Sequence, residues 1–169
     1  MADRALRARL DAAIDLLDDA QCQRLLDWAG AMNRTVENAR APGTSPGPIA
    51  EMLHIANETI DGGRATYSLD IRPDLLNPHG LLHGGAVYTM IDYSMGAATM
   101  SVLAPDEVCA TIEIKVSYLE AARAGRLQCD TRVVKQGRRV VFLESRIIDD
   151  QARLVATATG SFAVIRSGS

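Results

Sequence analysis

Asp92 is the only charged residue between Gly84 and Pro105, and its neighbours are Met90, Ile91, Tyr93 and Met95. An unpaired buried carboxylate is costly or takes up a proton, so a chain with no use for it would carry an apolar residue there. Burial raises a carboxyl pKa towards neutrality, which suits a general base or a nucleophile. The structural alternative is a core acid held by an arginine or by backbone donors.

Eight residues earlier, Gly84 and Gly85 stand where a helix should begin, and the first N–H groups of a helix have no internal partner. Without side chains they let a carbonyl oxygen approach those donors and the positive end of the helix dipole, as an oxyanion site requires. Tight helix packing is their other use. Gly84 and Asp92 lie ~12 Å apart along one helix, whereas groups acting on one carbon must lie within ~3 Å of it. If both act on one substrate, a second subunit supplies one of them, and the chain is expected to be an obligate homodimer.

The remaining candidates are weaker. His79 and His83 are four apart, but Gly80 takes them off a regular helix and no third ligand is evident, so no metal site is expected. His83 is expected to shape the loop at the helix start, and His54 is an ordinary strand or loop histidine. Thr111 reads as a strand threonine facing away from Ala110, Ile112, Ile114, Val116 and Tyr118. Gly160-Ser161 sits in a strand pattern and no G-x-S-x-G elbow exists, which removes the serine hydrolase reading. Lys135, Arg138 and Arg139 at a hairpin tip could meet the phosphates of coenzyme A or be a solvated turn. No phosphate loop is present, and no cofactor is expected.

The elements that position these residues follow from periodicity. From Ala5 to Trp28, Leu6, Leu10, Ile14, Leu17, Leu25 and Trp28 recur at helical spacing, with Asp18 and Asp19 able to cap a second helix towards Asn38. Residues 41–48 hold three prolines and two glycines and read as a linker. Beyond them the period alternates. A strand follows the Asp61-Gly62-Gly63 turn, and an apolar helix runs from His83-Gly84-Gly85 towards Pro105. Four strands then come in succession, Val108 to Leu119, Arg126 to Lys135, Val140 to Asp149 and Leu154 to Ile165, and short turns predict that they pair antiparallel and in order. The layout is α+β, with a strongly curved sheet needed to cover a helix too apolar for one buried face. The stretch Gly84 to Pro105 approaches membrane-span length, but its Asp, Gly, Ser and Thr favour a buried helix.

The formal net charge of -3 and pI near 5.6 offer no field for nucleic acid or an anionic membrane. Cys22, Cys109 and Cys129 form no metal or disulfide spacing, and Asp3, Arg4, Arg7, Arg9 and Asp11 leave no room for a signal-peptide core. A reducing, cytoplasmic setting is expected.

The run Asn77-Pro-His-Gly-Leu-Leu-His83-Gly84-Gly85, with Asp92 seven residues on, closely resembles the motif of hot-dog thioesterases of the phenylacetate-degradation (PaaI-like) type. The resemblance extends over roughly Ile49 to Ile165. It implies a hot-dog fold, a curved antiparallel sheet wrapped around a long central helix, and hydrolysis of an acyl-CoA. It implies Asp92 as general base or nucleophile, Gly84 N–H as donor to the thioester carbonyl, Asn77 as a positioner of substrate or leaving thiol, and His83 as holder of the loop. Gly85 and His79, beside these in the motif, are placed with the substrate, and Thr111 falls where the family often has a Ser or Thr supporting the carboxylate. Family members are dimers with a shared sheet, commonly paired into homotetramers. The helices of residues 1–40 go beyond that pattern, which divides the chain into an extension, the linker and a domain over 49–169. The rival readings are a non-catalytic acyl-CoA binding or sensing protein and an enoyl-CoA hydratase or dehydratase.

Overall fold

The structure, a computed structural model, describes residues 4–38 and 47–166, and the chain divides into two compact units, Met1–Met52 and Leu53–Ser169. In the first unit α1 (Arg4–Ile14) and α2 (Asp19–Asn38) are followed by a short α3 (Pro48–Leu53). The break between α1 and α2 has a local cause. Gln21 N–H donates to Asp18 Oδ1 at 2.7 Å and Asp18 N–H donates to Gln21 Oε1 at 2.9 Å, a reciprocal capping box that starts a new helix. The amphipathic pattern of α1 is real, yet none of its residues is buried in the single chain. Most of the expected linker lies outside the described residues.

The second unit runs β1 (Ile55–Asp61), β2 (Arg64–Asp70), a 3-10 turn at Pro73–Leu75, α4 (Gly84–Met100), β3 (Glu107–Tyr118), β4 (Arg126–Gln136), β5 (Val140–Asp149) and β6 (Leu154–Arg166). β1 and β2 form a hairpin turned by Gly62 and Gly63, both at positive φ, as a tight turn matched to the sheet twist requires. β1 is an edge strand with only Ile55 buried, so no alternation marked it in the sequence.

The six strands form one antiparallel sheet in the order β1-β2-β4-β5-β6-β3. This corrects the expectation that the last four pair in sequence order. β4-β5 and β5-β6 are joined by hairpin-length turns and do pair in order, whereas β4 pairs with β2, and β3 pairs with β6 at the far edge. Only short turns force neighbours together. The connection over 119–125 is long enough to carry the chain from one side of the sheet to the other.

The sheet wraps α4, the hot-dog arrangement implied by the resemblance. Ala86, Val87, Met90, Ile91, Met95 and Ala98 of α4 are buried against an inner sheet face built from Leu69, Leu127, Val141, Leu143 and Ile147. Burying a side chain of this size fully stabilises by about 1.5–3 kcal/mol. The rotation of the helix is set by polar contacts. Ser94 Oγ bonds Thr131 Oγ1 at 2.7 Å and Thr131 Oγ1 bonds Ser145 Oγ at 2.6 Å, a buried hydroxyl chain linking α4, β4 and β5. At Gly160 an added Cβ would lie 2.6 Å from Met95 Sδ, so this strand meets the helix too closely for a side chain.

The helix ends at Met100, before Pro105. Ser101 caps it and takes the Gly63 N–H at 2.8 Å, tying its end to the β1-β2 turn. Among the described residues no helix is long and apolar enough to cross a membrane.

Candidate active site

The loop before α4 is folded on Asn77. Its Oδ1 accepts from His79 N–H at 2.9 Å and Leu81 N–H at 3.2 Å, and its own N–H donates to Leu81 O at 2.7 Å. Gly80 sits at positive φ (69°), a conformation that glycine adopts without strain. The Asn77 carbonyl therefore holds the loop that presents the helix start.

His83 is the N-cap of α4. Its Nδ1 accepts from Gly85 N–H at 2.9 Å, and its backbone carbonyl accepts from Ala86 N–H at 3.0 Å. An accepting Nδ1 places the ring proton on Nε2 in the neutral imidazole. These two bonds sort the donors of the first turn. Gly85 N–H, expected beside the substrate, is taken by His83, and Gly84 N–H is left without an acceptor among the described residues. Tyr118, expected only on an apolar strand face, packs on this point. Its hydroxyl donates to Gly84 O at 2.8 Å, and a Cβ on Gly84 would come within 3.1 Å of the Tyr118 ring. Burial is the main cause pushing the Tyr118 phenol pKa up, with Tyr88 adding to it, so the hydroxyl keeps its proton.

Asp92 lies two turns further along α4. It is half-buried rather than buried, which corrects the premise of full burial: its carboxylate keeps access to solvent in the single chain and accepts a hydrogen bond from Thr111 Oγ1 at 2.8 Å. The contact exists because β3 is irregular. Thr111 pairs with Phe162, but Glu113 pairs with Ser161, so Ile112 is an extra residue in the ladder. The bulge shifts the side-chain parity by one. Thr111 therefore turns towards α4 on the same side as Ile114, while Ile112, expected with the apolar set, is 55% exposed. The prediction that Thr111 faces away from that set is overturned for this reason.

The two halves of the candidate site open into different recesses of one chain. Asn77 and Gly84 line a recess of about 420 Å³ with Val87, Tyr118, Leu119 and Glu120. Asp92 and Thr111 line another, of about 350 Å³, with Tyr67, Tyr93, Gly96 and Phe162. Cys109 borders this second recess, its thiol pushed up chiefly by burial and then by the Asp92 charge, so it stays protonated.

The expected substrate contacts lie apart from both. His79 is exposed on the loop, and Lys135, Arg138 and Arg139 are exposed at the β4-β5 tip. Arg138 and Arg139 share a separate recess with Glu107 and Arg166. Arg166 joins that basic group through the β5-β6 pairing, and the β3-β6 pairing sets Glu107 against it at 3.5 Å. Among the described residues no cluster of His, Cys, Asp and Glu is placed to hold a metal.

Comparison with known proteins places the chain in a family. The thioesterase superfamily model matches residues 79–156, which hold His83, Gly84, Asp92 and Thr111. A candidate esterase of Halobacterium salinarum is 40% identical over an aligned 130 residues, covering 70% of this chain and 85% of that protein. The 1,4-dihydroxy-2-naphthoyl-CoA hydrolase of Listeria monocytogenes is 22% identical, covering 69% of this chain and 94% of its own. Among solved structures, a conserved protein of Pseudomonas aeruginosa superposes with a TM-score of 0.67 at 31% identity, covering 69% of this chain and 93% of that one.

Proposed function

The chain belongs to the thioesterase superfamily and is a thioester hydrolase of the hot-dog fold, and from that premise we propose that it hydrolyses acyl-CoA at sites shared between two copies of itself. The observation that carries this reading is the separation of its two functional groups. Gly84, whose N–H has no acceptor among the described residues, lines one recess, and Asp92, with Thr111 donating to it, lines the other. A second copy that sets its Asp92 recess against this Gly84 brings them onto one carbon.

β3 supplies the means. It is an unpaired sheet edge, and Val108, Ile112 and Tyr118 expose 41%, 55% and 52% of their surface along it. Such an edge is normally covered, and pairing with the same strand of a second copy would cover it and continue the sheet. Val134 and Phe142, on the outer face and 58% and 49% exposed, offer the apolar patch for joining two dimers into a homotetramer.

Gly84 N–H and the helix dipole polarise the thioester carbonyl and hold the oxyanion of the tetrahedral intermediate. Asp92 of the other copy takes a proton from water as the hydroxide adds to that carbon. The C–S bond then breaks, and the departing thiolate recovers the proton. In the alternative route the carboxylate itself attacks and the C–S bond breaks to expel the thiolate, giving a mixed anhydride; water opens the anhydride, restores the carboxylate and supplies the proton that the thiolate takes up. Thr111 orients the carboxylate in both routes. A coenzyme A thioester as substrate is supported by the similarity to a naphthoyl-CoA hydrolase. The exposed Arg138 and Arg139 beside Arg166 are the proposed phosphate contacts.

Release of free thiol from short, medium, long and aryl acyl-CoAs tests the proposal, with Asp92→Asn beside the wild type. The variant keeps the shape and loses the base, so turnover should fall by at least ~10²-fold with binding largely kept. Near-wild-type turnover in the variant would remove Asp92 from the chemistry. Tight acyl-CoA binding without thiol release would make the protein a binder.

A further inference from the structure

Gly96 follows Asp92 by one helical turn, which places both on one face of α4, and both line the same recess. A glycine inside a helix weakens it relative to alanine, so its presence there needs a reason. Elsewhere in the domain the reason is steric: an added Cβ would lie 3.1 Å from Tyr118 at Gly84 and 2.6 Å from Met95 Sδ at Gly160. At Gly96 the added Cβ meets only Phe162 Cε1, at an ordinary 3.8 Å. Gly96 is also not among the glycines at positive φ. Neither packing nor backbone conformation demands glycine at this place. What the missing side chain leaves is open space next to the carboxylate.

The lining says which end of a thioester that space suits. Its lining is largely apolar, with Met100, Val108, Phe162 and the rings of Tyr67 and Tyr93 among its walls. The recess at Gly84 is also largely apolar, with Leu81, Leu82, Val87, Leu119 and Val155 in its lining, and the polar Asn77 and Glu120 at its wall can meet the amides of a pantetheine arm. A cavity of ~150 Å³ already admits a benzene ring, so about 350 Å³ beside Asp92 has room for an aryl or medium-chain group.

We propose that Gly96 sets the size of acyl group accepted, by keeping open the apolar recess beside Asp92. The inference rests on the proposed thioesterase chemistry at Asp92. Larger side chains at this position should exclude large acyl groups while acetyl still fits.

The experiment measures kcat/KM by thiol release for acetyl-, butyryl-, hexanoyl- and benzoyl-CoA with wild type, Gly96→Ala and Gly96→Val, beside melting temperatures. The ratio of kcat/KM for the hexanoyl and benzoyl substrates to that for the shortest substrate turned over should fall about tenfold or more in Gly96→Val, with Gly96→Ala between. Gly96→Ala should melt at or about 2–4 °C above the wild type, because a helix-favouring residue replaces glycine without a clash. Ratios within about twofold of wild type in both variants would overturn the role of Gly96 while leaving the thioesterase reading standing. If Gly96→Val fails to fold, the ratio in Gly96→Ala decides. Wild-type protein that releases thiol from none of the substrates would overturn the thioesterase reading and this inference with it.

Discussion

Asp92 and Cys129 both carry a group whose charged form a protein interior disfavours, and the fold treats them in opposite ways. Asp92 stays half-open with a hydroxyl donor. Cys129 is fully buried beside Thr131, and burial, only partly offset by neighbouring hydroxyls, pushes its thiol up to about 11. The neutral thiol is therefore the native form up to that pH. In the unfolded chain it ionises near 8.5. Between these values the unfolded state binds fewer protons, so stability contributed by the protonated core thiol is complete below pH 8 and is lost as pH rises towards 11. The loss is on the order of 3 kcal/mol. Urea unfolding at pH 8 and pH 10.5 should show a steeper decline for wild type than for Cys129→Ala, whatever the variant's lower starting stability. Equal slopes would show that Cys129 does not control the alkaline limit.

At the scale of elements, β3 and α4 together make the carboxylate site, and the bulge at Ile112 decides how they meet. Deleting Ile112 restores a regular ladder and returns residues 107–111 to the opposite face. The Thr111 hydroxyl then leaves Asp92, and a hydrogen bond to a charged group is worth about 1.5–3 kcal/mol. Turnover by the deletion variant should fall at least tenfold, while circular dichroism keeps the wild-type sheet and helix signal. Retained turnover would show that the parity of β3 is irrelevant to the chemistry. The bulge was illegible in the sequence because its strand alternates without interruption, and only pairing with Phe162 and Ser161 shows which residue is extra. The helix break at Asp18 was legible because a capping box needs only residues three apart.

At the scale of the whole molecule, the separation of Gly84 from Asp92 makes a direct test of sharing available. Gly84→Pro removes the donor N–H, proline is accepted at the first position of a helix, and the added Cβ, 3.1 Å from the half-exposed Tyr118 ring, requires that ring to shift slightly. The preceding His83 already has the extended backbone that proline requires (φ -65°, ψ 129°). Gly84→Pro and Asp92→Asn should each be inactive alone. Heterodimers purified through two different tags should recover turnover, because one of their two sites draws both intact groups from different copies. Heterodimers that form and remain inactive would place the whole site within one chain.

The sequence by itself determined the family, the apolar helix with its lone acid and the glycine pair at its start, because each depends on residues near one another in the chain. Tertiary structure decided what depends on partners distant in sequence. It placed β3 at the edge through a connection too long to force a hairpin, and it turned Thr111 onto Asp92 through a misregister with β6. It also gave the N–H groups of Gly85 and Ala86 to His83 and left that of Gly84 without an acceptor among the described residues. The opening beside Gly96 belongs to the same class, since the space between a helix and a strand is set by packing and is not written in either segment.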